Sequence, residues 1–300
     1  MRLARLGTVC VLLLLAGCGG DGAVASGVPD HADLGPRDGP APGDSLPADG
    51  PADAAATPDT AATPDDAADA SITAGGTILF VVGTSNGSVA AGEGIGDRFV
   101  RDRLQKQGYQ VGIAADTMGA AALVAMADHA DLVLVSESVG SANLQGKLKP
   151  VAAPILNYEA FIQDEMGFTP PGPPGDPGLP AQFALGVKMS DTKIDIVDPK
   201  HPLAAGFTGT VTVYREPKEI TWGKVAATAE VVATLTGDTT GPCIYVYRKG
   251  APLHDGTAAA GLRVGLFLED DDTTGTPNFL TDEGLKLFDT AVTFTMHGGQ

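Results

Sequence analysis

From residue 76 onward, short unbroken apolar runs alternate with segments whose apolar positions recur every three to four residues, the pattern of a parallel sheet with crossover helices. Residues 77–82 (TILFVV) form the β-branched and aromatic run that a strand buried on both faces requires. A glycine-rich turn over residues 83–96 follows. Residues 97–107 place Phe99, Val100 and Leu104 on one side and Arg98, Arg101, Asp102 and Lys106 elsewhere, with Gly108 as a stop signal, which predicts a helix. The same logic predicts strands at 109–115, 131–136 and 154–157 and helices at 120–127 and 141–149. In the second half, 183–189, 193–197, 210–214, 230–235, 244–247 and 262–268 are strand-like, and several suit antiparallel pairing. The chain closes on a predicted helix with Thr281 as N-cap, Asp282 and Glu283 complementing its dipole, and Leu285, Phe288, Ala291, Val292 and Thr295 on one face.

Composition divides the 300 residues into three parts. Residues 1–18 carry two Arg and no acid, residues 19–75 carry eleven Asp, no Glu and the single base Arg37, and residues 76–300 carry the remaining 26 acids and 16 bases. A polyanion of this kind is repelled by nucleic-acid phosphates, so nucleic acid is excluded as a partner. Arg2 and Arg5 precede an apolar stretch, Val9 to Leu15, that is too short to span about 30 Å of hydrocarbon, as in an export signal. Leu15-Ala16-Gly17-Cys18 resembles the lipobox of bacterial lipoproteins, which implies cleavage after residue 17 and acylation of Cys18. The alternative is an ordinary secretory signal with Cys18 an incidental thiol. The lipobox implies a protein anchored to the cell envelope by its acyl chains, and Gly19 in place of Asp implies the outer membrane rather than the inner.

Residues 18–75 then form a lipidated Cys and a tether of Ala, Pro, Asp and Gly, with Ala-Thr-Pro-Asp at 56–59 and again at 62–65. Such a stretch buries too little apolar surface to offset chain entropy, which predicts a disordered linker reaching roughly 40 Å from the membrane.

The order of pieces over 77–297 resembles the class I glutamine amidotransferase-like superfamily and, within it, the ThuA-like proteins. The resemblance rests on ILFVV in the first strand, ADLVLVS at 130–136, APILNYE at 153–159, His201-Pro202-Leu203, Arg263-Val264-Gly265 and the terminal helix. It implies an α/β fold: a flavodoxin-like parallel sheet with crossover helices plus a β-rich insertion in the second half, all within residues 76–300. In amidotransferases of that fold the strand matching 154–157 ends at a sharp turn bearing the catalytic Cys. Here the matching position is Glu159 or its neighbour Tyr158, and a carboxylate cannot supply thiolate chemistry. No His-x-Glu pair follows, and the Arg-Val strand leads to Glu269-Asp270-Asp271-Asp272 instead of Gly-His. The expectation is a pseudoenzyme, with no cofactor. Cys243, the sole thiol expected in the mature domain, shares a strand face with Tyr245 and Tyr247 by period two and is expected to be a packed structural thiol.

Ligands of open parallel sheets bind beyond the carboxyl ends of the strands, and that rule selects Ser85 and Asn86, then Ser136, Glu137 and Ser138, then Asn157, Tyr158 and Glu159. Hydroxyl, amide and carboxylate groups there suit a carbohydrate, whose hydroxyls need donors and acceptors, or a partner protein of the envelope. The competing role of such residues is to satisfy turn and cap backbone groups. A second function class is a hydrolase or isomerase acting on a sugar through Glu159 and Glu137 as an acid/base pair. Gly92, Gly94 and Gly96 lack the spacing of a dinucleotide loop. Asp270 and Asp272 are weak Ca²⁺ candidates, since Thr281 stands where an EF-hand loop would place its Glu. The histidines show no zinc spacing.

Overall fold

Alternate residues of the central strands go to opposite faces of one sheet, and each face has its own hydrophobic cluster. The computed structural model describes residues 75–84, 94–170, 185–269 and 275–300, of which 185–189 as backbone only. All of these lie in one compact unit, Asp65–Gln300. The signal and most of the tether, with Cys18, and the candidates Ser85, Asn86, Asp270 and Asp272 lie outside the described residues.

The chain begins β1 (Thr77–Val82), α1 (Ile95–Lys106), β2 (Gln110–Ala115), α2 (Ala120–Ala127), β3 (Leu132–Val135), α3 (Ser141–Leu144) and β4 (Ile155–Asn157). There follow β5 (Leu185–Asp191), β6 (Lys193–Ile196), β7 (Gly209–Thr212), β8 (Lys218–Gly223), β9 (Glu230–Leu235), β10 (Asp238–Tyr247), β11 (Arg263–Gly265) and α4 (Asp282–Met296). Nine strands form a mixed sheet in the order β2, β1, β3, β4, β11, β10, β9, β6, β7. The first five are parallel and the remainder pair antiparallel. β5 and β8 make a separate antiparallel pair. The protein is therefore an α/β protein, and six strands intervene in the chain between β4 and its parallel neighbour β11.

On one face Phe80, Val82, Leu134 and Leu156 pack with Val100 and Leu104 of α1 and Leu287, Phe288, Ala291 and Val292 of α4. On the other, Val81, Val135 and Ile155 pack with Leu123 and Ala127 of α2 and with Leu144 and Leu148. At about 1.5–3 kcal/mol for each large apolar side chain fully buried, these two clusters dominate stability. Thr281 caps α4 as expected: its Oγ1 accepts from Gly284 N at 3.0 Å and donates to Thr212 O at 2.8 Å, tying the helix start to β7.

Three details depart from the sequence expectation. β8 was not predicted, because only Ile220 and Trp222 alternate as large apolar residues within KEITWG. The helix expected at 141–149 is one turn of α-helix followed by a 3-10 turn, Gln145–Leu148. Cys243 does not share a face with Tyr245 and Tyr247. Irregular pairing with β9 between Pro242 and Tyr245 breaks the period of two, so Cys243 and Ile244 join the α1/α4 cluster while the two tyrosines join the other. Cys243 is nonetheless buried, at 1% exposure.

Candidate functional site

The carboxyl ends of β1 to β4 and β11 lie along one edge of the sheet, and the turns that leave them touch. A Cβ added at Gly83 would stand 1.8 Å from Ser138 O, so only glycine lets the turn after β1 lie against the turn after β3. Gly83 N donates to Ser138 Oγ at 2.9 Å. Ser138 Oγ donates onward to Asp97 Oδ2 at 2.7 Å, and Ser136 Oγ donates to Asp97 Oδ1 at 2.6 Å. Asp97 is in the first turn of α1 and 1% exposed, so both serines are engaged in holding that helix start against β3.

A second carboxylate, Asp116, does the same after β2. Its Oδ1 accepts from Thr84 Oγ1 at 2.9 Å, and its Oδ2 accepts from Gly140 N at 2.8 Å and Asn143 Nδ2 at 3.0 Å. Lys147 Nζ donates to the carbonyls of Asp116 and Met118 at 3.0 and 2.8 Å.

The turn after β4 gathers the remaining groups. Asn157 Nδ2 donates to Glu159 O at 2.8 Å, while Asn157 Oδ1 is buried and has no hydrogen-bond partner among the described residues. Glu159 Oε1 accepts from Phe161 N at 2.8 Å and so caps the 3-10 turn Ala160–Ile162. Glu137 reaches across from the turn after β3, its Oε2 accepting from Ala160 N at 2.9 Å. Because the two carboxylates bond to consecutive amides, these oxygens lie within roughly 10 Å of each other. Tyr158 turns the other way, its ring wholly buried in the α1/α4 cluster.

Electrostatics sets Glu159 apart. Its complete burial pushes the carboxyl well above the usual carboxylate range, an effect the Phe161 amide partly opposes and the negative charges of Glu269, Glu165 and Asp116 reinforce. Glu165 is raised to about 8, first by burial and then by its hydrogen bond and charge contact with Asp164. Glu269, just beyond β11, borders the same turn, since Thr221 Oγ1 lies 3.3 Å from Tyr158 O and 3.4 Å from Glu269 Oε2.

Of the sequence candidates, then, Ser136 and Ser138 form one network with Asp97, and Glu137, Asn157 and Glu159 form another. Asp97, Asp116 and Glu165 were not singled out from the sequence. The available signals were an acid in the first turn of a predicted helix and one directly after a predicted strand. Among the described residues no group of three or more His, Cys, Asp or Glu is arranged to hold a metal ion. No helix among them is long and apolar enough to cross a membrane. His201 belongs elsewhere, at the head of a 3-10 turn, where Nδ1 accepts from Leu203 N and Nε2 lies 3.2 Å from Glu230. Burial lowers its pKa, partly offset by Glu230.

No family model and no curated protein matches the chain. Among solved structures it is similar to a ThuA-like protein from Bacteroides uniformis ATCC 8492, at 10% identity and a TM-score of 0.41, covering 79% of this chain and 98% of the other. It is also similar to a ThuA-like protein from Parabacteroides merdae ATCC 43184, at 8% identity and a TM-score of 0.47, covering 75% and 91%. Likenesses at that level concern the fold alone and carry no argument about activity.

Proposed function

We propose that this chain is a lipid-anchored protein of the cell envelope that presents a ThuA-like, class I amidotransferase-like domain without amidotransferase chemistry, and that its strand-end site binds a carbohydrate. The strand order β2, β1, β3, β4, β11 fits the flavodoxin-like arrangement of that superfamily, with β5 to β10 as its β-rich insertion. The observation that carries the reading is the turn after β4. Glu159 stands there in place of a nucleophilic Cys, its burial favouring the protonated form, next to an Asn157 Oδ1 that lacks a donor among the described residues. A protonated carboxyl offers a donor as well as an acceptor, and an unfilled buried acceptor costs about 1–3 kcal/mol until a hydroxyl or water reaches it. Such a pair suits the hydroxyls of a sugar and not the attack of a thiolate.

The test is a thermal-shift titration of the purified chain with envelope sugars and oligosaccharides. A ligand at about 100 times its dissociation constant adds roughly 2.7 kcal/mol, or about 5–10 °C for a domain of this size. The shift is expected to vanish in Glu159→Gln and Glu137→Gln. No shift with any sugar would sink the carbohydrate reading and move the site to a partner protein. The anchor has its own check: a radiolabelled fatty acid fed to the producing cells is expected to label the wild-type chain and not Cys18→Ser.

One observation favours the enzymatic reading as the alternative. Glu137 and Glu159 accept from adjacent amides, which keeps these oxygens within roughly 10 Å, and burial favours the protonated form of Glu159, so the pair has the makings of an acid with a partner carboxylate on a sugar substrate. Turnover of a bound sugar that is lost in both Glu→Gln variants would establish it.

A further inference from the structure

Among the described residues β2 is the outermost strand at the parallel end of the sheet. Gln110 N donates to Gly76 O and Asp116 N to Val82 O, so the amides and carbonyls of even-numbered residues face β1. Those of Val111 and Ile113 therefore point away from the sheet. Natural edge strands are commonly protected by Lys, Pro, a bulge or a covering loop. Residues 108–115 (GYQVGIAA) contain neither charge nor proline in a chain of net charge −18, and Gln110 and Gly112 are exposed.

Gly112 is the residue that the described part of the monomer does not explain. Its φ is not in the left-handed region. Among the described residues an added Cβ would meet nothing nearer than Ile78 O at 3.9 Å. A glycine inside a strand sacrifices backbone entropy and packing, and it marks a place where another backbone comes close. Beside it the short α2 leaves a cavity of ≈ 490 Å³, lined by Thr77, Gln110, Gly112, Met126, His129 and Ala130, with room on that face for side chains from outside.

We propose that the β2 edge is a self-association surface, on which a second copy of this chain adds its own β2 antiparallel about a two-fold axis through Gly112. The outward groups are symmetric about that residue: Val111 of each copy would exchange both main-chain hydrogen bonds with Ile113 of the other. Gly112 then faces Gly112 as a non-hydrogen-bonded pair, the closest kind of cross-strand approach, at about 4.5 Å between Cα atoms. Two strongly acidic copies can meet without like-charge contact only along an uncharged strip, and residues 108–115 are such a strip. One six-residue strand edge buries less than the ~1,200 Å² of a stable interface, so the dimer is a weak one. The inference is independent of the sugar site, which lies at the strand ends.

The test is register-specific disulfide formation in the full chain carrying Cys10→Ser and Cys18→Ser, where the remaining Cys243 is buried. Gly112→Cys places two thiols at a Cα separation of about 4.5 Å, within disulfide range, whereas Gln110→Cys leaves its two copies about 14 Å apart. Under mild oxidation Gly112→Cys is expected to run as a covalent dimer on non-reducing gels and Gln110→Cys as a monomer. By sedimentation velocity the parent chain is expected to show a concentration-dependent dimer that Gly112→Lys weakens roughly tenfold or more, with an unchanged melting temperature. Equal cross-linking at both positions, or a dimer that Gly112→Lys leaves intact, overturns the proposal. A monomer at all concentrations also overturns it and leaves a strand from a different protein as the occupant of the edge.

Discussion

Replacing Arg263 by Met is expected to cost about 3–5 kcal/mol of stability, the largest effect of any single substitution considered for this domain. Arg263 opens β11, is 1% exposed, and among the described residues none of its hydrogen bonds goes to a carboxylate. Its guanidinium donates instead to four carbonyls, those of Ala153 and Leu262 at 3.0 Å, Lys149 at 3.3 Å, and Val151. Burial lowers its pKa to about 10, which leaves it charged at neutral pH. Three of those carbonyls belong to the segment 149–153 that delivers the chain into β4, so the side chain fastens two parallel strands at their amino ends. Met would match the volume and strand the acceptors, each at about 1–3 kcal/mol. Lys, with one ammonium in place of a five-donor fork, is expected to recover only part of the loss. Denaturant unfolding of the three proteins is the measurement, and a loss below about 1 kcal/mol for Arg263→Met at unchanged m-value would show that water takes over the carbonyls.

The second large effect is a gain. Glu159→Gln is expected to stabilise the domain at alkaline pH by on the order of 1–3 kcal/mol and to leave it nearly unchanged at pH 4–5. The folded state holds the Glu159 carboxyl above its ordinary value of 4.5, so the unfolded chain gives up this proton first as pH rises. The contribution of the protonated carboxyl is full below about 4.5 and is lost as pH rises through the folded value. Glu165 acts in the same direction between 4.5 and about 8. His201 acts oppositely at the acid end: its pKa is lowered in the fold, so its contribution is present above 6.5 and lost as pH falls. The difference between wild type and Glu159→Gln isolates the first group, since Gln retains an acceptor for Phe161 N and cannot ionise. Melting temperatures of both proteins from pH 4 to 9 are the measurement. A variant less stable than wild type at pH 8 would mean that Glu159 is ionised and favourably paired, contrary to the burial described above.

Much of the domain was legible in the chain. β1 was predicted to its end residues, and β2, β3, β9 and α2 to within a residue or two, because each is a local pattern: a β-branched run buried on both faces, or an apolar stripe ended by glycine or polar residues. Thr281 was legible as a cap for the same reason, since a capping hydroxyl needs only the amide three residues on. β8 was not, with its two apolar residues amid Lys, Glu and Thr. The opposite faces of Cys243 and Tyr245 were not legible either, because irregular pairing depends on the partner strand, β9.

The strand-end residues divide in the same way. The rule that ligands gather beyond the carboxyl ends of parallel strands selects Ser136, Glu137, Ser138, Asn157, Tyr158 and Glu159, together with Ser85 and Asn86 outside the described residues. It could not tell that both serines serve Asp97, or that Glu137 crosses from one turn to cap the next, since Asp97 and Ser138 are 41 residues apart in the chain. Nor did any local pattern mark Arg263 as a buried clamp, because its four acceptors are main-chain atoms, which look alike in every sequence.

What the sequence by itself determined is the inventory: an acidic, Pro- and Ala-rich stretch before residue 76, an α/β order of elements, a carboxylate at Glu159 just after the fourth strand, and an uncharged second strand. The tertiary structure alone decided which of those groups are spent on the backbone and which are left over. Secondary structure is written in periodicity between near neighbours, whereas the state of Glu159 depends on burial and on charges from Asp116, Glu165 and Glu269, which only the assembled sheet brings to one turn.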